Sequence, residues 1–96
     1  MPAYIVVTRE GPIIDQQEMD TYQTLTRSKR PNVPVEPIVI YGQIEGLEGT
    51  VPEAVIMLKF ESMDVARDWY FSPEYQEAVV HRQNAGKFNA FLVNGL

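Results

Sequence analysis

Ala54-Val55-Ile56-Met57-Leu58-Lys59-Phe60-Glu61-Ser62-Met63-Asp64-Val65-Ala66-Arg67-Asp68-Trp69-Tyr70-Phe71-Ser72-Pro73-Glu74-Tyr75-Gln76 is the stretch that decides the fold. Its first eight residues alternate. Ala54, Ile56, Leu58 and Phe60 share one wholly apolar face, and Val55, Met57, Lys59 and Glu61 share a mixed one, which is a strand with one side against a core. Ser62 is placed to cap a helix. Val65, Ala66, Trp69 and Tyr70 recur at i, i+1, i+4 and i+5 and so occupy one helical face. Ser72-Pro73 interrupts that helix and also restarts it, with Ser72 as the cap and Pro73 in the first turn. The second half reaches about Gln83, with Tyr75, Ala78, Val79 and Arg82 on one side, and Gly86 ends it.

Outward from this unit, Phe88 to Asn94 reads as a further strand. Upstream, a strand is expected from about Ile38 to Ile44, after the breaks at Pro31, Pro34 and Pro37 and before a loop carrying Gly46, Gly49 and Pro52. A helix is expected from about Asp15 to Lys29. Asp15 is its cap, Glu18 completes a capping-box-like pair, and Met19, Tyr22 and Leu25 or Thr26 form its inward stripe. Ala3 to Arg9, rich in Ile and Val and stopped by Gly11-Pro12, is the first strand. The order β-α-β-β-α-β is that of the ferredoxin-like split βαβ unit, an α+β sandwich whose antiparallel four-stranded sheet carries both helices on one face. The 96 residues are read as one domain, with no repeat or linker.

The uncovered face of such a sheet would hold Tyr4, Val6 and Thr8, then Val55, Met57 and Lys59, then Asn89, Phe91 and Val93. That is too apolar for a surface left to water. The expected remedy is a second copy, sheet against sheet about a twofold axis, with a partly polar cavity between the sheets. In the expected second strand Ile38 and Ile40 would face the helices. Tyr41 and Gln43 would then look into that cavity with Lys59 and Glu61.

The formal net charge is -5, with Lys and Arg totalling 8 against 13 acids, so the surface repels phosphate backbones and no nucleic-acid partner is expected. The one basic cluster, Arg27, Lys29 and Arg30, sits where a helix ends and complements its dipole. There is no cysteine, which removes disulfides, thiolate catalysis and cysteine-ligated zinc. No apolar run approaches a membrane span, and Met1-Pro2-Ala3-Tyr4 does not open a signal peptide. The chain is therefore read as mature and cytoplasmic, with no membrane partner.

His81 is the only histidine, the natural proton carrier near neutral pH, and Arg82 beside it suits an anionic group. A helix-terminal histidine resting on carbonyl groups or solvent is the competing reading. Trp69 and Tyr41 are candidates to shape a pocket, against the simpler reading of Tyr4, Tyr22, Tyr41, Trp69, Tyr70 and Tyr75 as core and rim. Lys59 suits either a base of lowered pKa or an ion pair across a dimer. One histidine among scattered acids forms no metal-ligand spacing, and Glu45 and Glu48 read as solvated loop acids. The Gly42–Gly49 segment lacks the Gly-Lys-Ser/Thr ending of a phosphate loop, and no nucleophile elbow is present.

Tyr41-Gly42-Gln43-Ile44-Glu45-Gly46-Leu47-Glu48-Gly49, Phe60-Glu61-Ser62 and Ala66 through Gln76, together with the opening Ala3-Tyr4-Ile5-Val6-Val7, resemble the family called domain of unknown function 1330. The carrying features are the Leu-Glu-Gly loop and the Trp-Tyr-x-Ser-Pro-x-Tyr break followed by a basic position, here His81-Arg82. The sequence departs from the pattern at Gln43, Lys59 and Asn94. The resemblance implies a ferredoxin-like fold and a dimeric α+β barrel. That superfamily includes cofactor-free monooxygenases, haem-degrading enzymes and small isomerases that use the cavity between sheet and helices.

Two function classes follow. In one, the chain binds or converts a small organic molecule in the barrel cavity without a cofactor, with Arg82 holding an anionic group, His81 moving a proton, and Trp69 and Tyr41 shaping the pocket. In the other it is a noncatalytic dimeric structural or interaction module. A haem or metal protein is a weaker third reading.

Overall fold

The computed structural model describes all 96 residues. The elements run β1 (Ala3–Arg9), α1 (Gln16–Ser28), β2 (Glu36–Ile40), β3 (Ala54–Phe60), α2 (Met63–Tyr70), α3 (Pro73–Ala85) and β4 (Phe88–Asn94). The four strands form one sheet in the order β2-β3-β1-β4, with every neighbour antiparallel. This is the expected α+β, ferredoxin-like arrangement. Within one chain the sheet is open and does not close into a barrel.

Register explains which residues go inward. Ile5 lies opposite Leu58 and Leu92, and Val7 opposite Ile56 and Ala90, so three strands turn the same alternate positions toward the helices. Ile5, Val7, Phe60 and Ala66 form the centre of the core, with Trp69, Tyr70 and Phe88 packed against it. Phe60 is its largest fully enclosed side chain, a position where truncation to Ala costs about 3–5 kcal/mol.

The caps act as the sequence indicates, with one exception. Ser62 Oγ accepts the Val65 N–H and starts α2. Ser72 Oγ accepts the Tyr75 N–H at 3.2 Å and donates to the Trp69 carbonyl at 2.7 Å, so one hydroxyl closes α2 and opens α3. Asp15 Oδ1 accepts the Glu18 N–H, but the reciprocal half of the capping box is missing. The Asp15 N–H goes to the Ala85 carbonyl, which frees the Glu18 carboxylate to cross to α3.

β2 departs from expectation. It spans Glu36–Ile40 rather than Ile38–Ile44. Pro37 is admitted because β2 is an edge strand, where an absent N–H costs no ladder bond. The register slips between Pro37 and Val39, so Ile38 is a bulge residue and the helix-facing positions are Pro37, opposite Leu58, and Ile40, opposite Ile56. Tyr41 then adopts φ 54° and ends the strand.

α1 makes its main contact with α3, antiparallel to it, while β2 makes its main contact with β3 alone. The helix layer therefore does not reach across to β2, and Ile40 remains 54% exposed. This uncovered strip becomes the floor of the cavity below. The other face of the sheet is bare, with Phe91 54% and Val93 44% exposed.

Candidate functional site

The strip over β2 is walled into a cavity of about 440 Å³. Ile40 and Leu58 form its floor, Trp69 and Tyr75 its inner wall, and Lys29 and Arg30 at the end of α1 its mouth. The aromatic wall is a product of the Ser72-Pro73 break. By ending α2 after Tyr70 and restarting at Pro73, the chain brings the Trp69 and Tyr75 rings to a centroid separation of 4.2 Å. A second, smaller hollow of about 210 Å³ lies between α2 and β4. Its one charged residue, Arg67, is engaged by Asp64 at 2.8 Å.

Tyr75 of the aromatic wall also belongs to a polar cluster. The Tyr22 and Tyr75 hydroxyls are hydrogen-bonded at 2.9 Å. The Arg82 guanidinium lies 5.9 Å from the Tyr22 ring centroid and 5.0 Å from that of Phe88. Arg82 is 3% exposed, and its Nε is the one buried side-chain nitrogen or oxygen with no hydrogen-bond partner. Burial is the main cause that pushes the Tyr22 phenol well above its ordinary value, reinforced by the charge and hydrogen bond of Tyr75 and opposed by Arg82. Tyr22 is thus a neutral hydrogen-bonding group throughout the physiological range.

Of the four residues singled out from sequence, Trp69 lines the cavity and Arg82 lies beside the Tyr22 ring. Tyr41 does not follow Val39 onto the open sheet face. The strand has ended, and in the left-handed conformation its phenol comes close enough to Tyr22 to oppose ionisation there. Gln43 is likewise beyond the strand, in the β2–β3 loop, while Lys59 stays on the open face opposite Glu36 and Tyr4. His81, although next to Arg82, lies elsewhere, because successive helical residues are turned about 100° apart. Its Nδ1 is hydrogen-bonded to Glu18 Oε2, and Asn84 Nδ2 approaches the other carboxylate oxygen at 3.4 Å. It does not line the cavity. By sequence Tyr22 and Tyr75 group with the core and rim aromatics. Their inward stripes on α1 and α3 are visible, but their meeting across fifty-three positions is not. No group of His, Cys, Asp and Glu is gathered as a metal site, and no helix is long and apolar enough to cross a membrane.

This combination of a ferredoxin-like sheet, a broken second helix and an aromatic wall at the break defines a small α+β protein of a recognisable class. Residues 2–96 match the family described as domain of unknown function (DUF1330), and the chain belongs to that family. No curated protein matches it. Among solved structures it is similar to an ethyl tert-butyl ether D (EthD) family protein from Bacillus halodurans, at 17% identity and a TM-score of 0.64 over 100% of both chains. It is also similar to a methylated protein of unknown function from Rhodopseudomonas palustris, at 17% identity and TM-score 0.65 over 99% of this chain and 81% of that one. A dimeric protein of unknown function and ferredoxin-like fold from Bacteroides fragilis shares 12% identity, with TM-score 0.54 over 98% and 95% of the two chains. At these identities the likeness is one of fold.

Proposed function

We propose that this protein is a homodimer that holds a small organic molecule in the cavity between the Trp69–Tyr75 wall and the β2–β3 floor, and that it needs no cofactor to do so. The observation that carries the reading is the cavity itself. Its volume of about 440 Å³ lies in the range that encloses small ligands, and aromatic rings and a few polar groups converge on it. The dimer rests on the bare sheet face, whose exposed Phe91 and Val93 call for cover, and on the dimeric state of the Bacteroides relative. In this reading each protomer keeps its cavity on the helix side, away from the sheet-to-sheet contact.

Trp69 is the only tryptophan, so its emission reports directly on the cavity. A collection of small aromatic and aliphatic molecules is added to the protein and to a Leu58→Trp variant that fills the floor, with bound molecules confirmed by ligand-observed NMR. Binding to the wild type and not to the filled variant supports the reading. The absence of any binder to the wild type overturns it. One observation favours a noncatalytic structural or interaction module instead. His81, the one residue suited to proton transfer near neutral pH, is engaged by Glu18 outside the cavity lining. A dimer that binds nothing in the screen would select that alternative.

A further inference from the structure

We infer that Arg82, Tyr22 and Tyr75 form a polarised donor relay that makes the cavity selective for organic carboxylates. The inference rests on the cavity reading above and names the chemical class of its ligand.

Arg82 lacks a counterion. The chain holds 13 acids, yet its ion pairs join Lys29 to Glu77, Arg67 to Asp64, His81 to Glu18 and Lys87 to Glu10. None reaches the most buried charge in the molecule. The Phe88 and Tyr22 rings give the guanidinium a cation–π surround, which attracts it but does not neutralise it. An unpaired buried charge is costly, and here its field is free to favour an anion held against Tyr75.

The hydroxyl pair is short of an acceptor in the same way. Two hydroxyls carry two protons, and the bond between them uses one. Neither oxygen has another protein partner, so one O–H proton is left over. Arg82 decides which. Its positive charge beside Tyr22 draws the lone pairs of that oxygen and repels its proton, which turns toward Tyr75. Tyr22 therefore donates to Tyr75, and the proton of Tyr75 is the free one. Tyr75 is among the residues that line the cavity and Tyr22 is not, so the free proton belongs to the partner nearer the occupant. The relay thus presents a donor to the occupant with a cation behind it, in surroundings of low dielectric where both effects are strengthened. An ionised carboxylate meets both demands; an amide of the same shape meets only the hydrogen bond. Glu74 also borders the cavity, and Lys29 and Arg30 at the mouth offset its charge.

The test compares benzoate with benzamide, matched in size to the aromatic wall, by Trp69 fluorescence and calorimetry. Wild type is expected to bind benzoate about tenfold or more tightly than benzamide, the factor typical of a charge-assisted hydrogen bond. Tyr75→Phe and Arg82→Met should each abolish that preference while benzamide binding persists. Arg82→Lys should retain part of it, and Tyr22→Phe should weaken it by removing the orienting partner. Circular dichroism melts establish that each variant is folded. If Arg82→Met does not fold, Tyr75→Phe and Arg82→Lys decide the matter. Equal affinity for the two probes in the wild type overturns the relay and leaves the cavity reading standing. So does a benzoate preference that survives Tyr75→Phe. A wild type that binds neither probe nor any other small molecule overturns both.

Discussion

The Glu18 carboxylate, in the first turn of α1, holds the His81 imidazole near the end of α3 through Nδ1. An ionised carboxylate only accepts, so Nδ1 carries the proton. The pair ties the two helices together at the end opposite the Lys29–Glu77 contact. Its side chains are 31% and 28% exposed, so water screens it and its worth is small. His81→Ala should lower stability to chemical denaturation by about 0.5–1 kcal/mol and leave benzoate affinity unchanged. A loss of affinity without a loss of folding would return His81 to the binding machinery.

Most of the sheet and the starts of α2 and α3 are legible in the sequence because short-range rules govern them. β1, β3 and β4 pair without slippage, so the alternation of Ile5, Leu58 and Leu92 survives intact into the fold. Ser62 and Ser72 act within three residues of themselves. β2 is different, since an edge strand has one partner, and its bulge at Ile38 and the left-handed Tyr41 are fixed by that partner and by the loop that follows. The same limit applies to the site. Arg82 stands out in sequence as a cation on a buried face. That it stacks on Phe88 and Tyr22, and that Glu18 claims His81 across sixty-three positions, depends on helix packing that no local pattern encodes.

Ser72 joins the two helices of the aromatic wall. Its hydroxyl accepts from Tyr75 and donates to Trp69, so Ser72→Ala removes the cap of α3 and the tie to α2 at once. The expected loss is about 1–2 kcal/mol in a denaturant titration, at the upper end for a helix cap. Trp69 emission should shift as its packing on Tyr75 loosens. Ser72→Thr, which keeps the hydroxyl, should recover most of both.

Tyr22 gives the protein an alkaline limit. Its phenol, raised above the ordinary value of 10.0 mainly by burial, stays protonated in the folded state when an unfolded chain would release the proton. The folded state then binds more protons than the unfolded one, so stability falls as pH rises. This contribution is fully present below about pH 10 and is lost progressively above it. Melts of the wild type and Tyr22→Phe between neutral pH and pH 11 should converge, because phenylalanine has no proton to lose. A wild-type curve that parallels the variant across this range would show that Tyr22 ionises freely in the fold.

In the proposed dimer the bare sheet face is the contact. Phe91 lies opposite Val6, which lies opposite Met57, so the three make one row across the centre of that face. Phe91→Lys would place a charge in the middle of a sheet-to-sheet contact, where an unpaired charge costs several kcal/mol. It is expected to give monomers in light scattering at concentrations where the wild type is a dimer, with the far-ultraviolet spectrum unchanged. A dimer that survives both Phe91→Lys and Met57→Lys would require the partner to sit elsewhere.

The proposed role of Arg82 predicts that stability and binding part company there. If its role were to hold the fold, replacing it with an apolar residue would be destabilising by the amount typical of a lost buried partner. It has no anionic partner to lose, however, and its Nε has no hydrogen bond. Arg82→Met removes the cost of a buried, uncompensated charge, several kcal/mol, forfeits desolvated cation–π attraction of about 2 kcal/mol, and puts a thioether against the Phe88 and Tyr22 rings, which accept one well. In the absence of ligand the variant should therefore be as stable as the wild type or more so, by about 1–2 kcal/mol, a pattern expected where a residue is retained for binding at the expense of the fold. Adding benzoate should reverse the order, since only the wild type gains from the carboxylate. A ligand-free variant that melts well below the wild type would identify Arg82 as a structural cation and remove the basis for an anion site behind Tyr75.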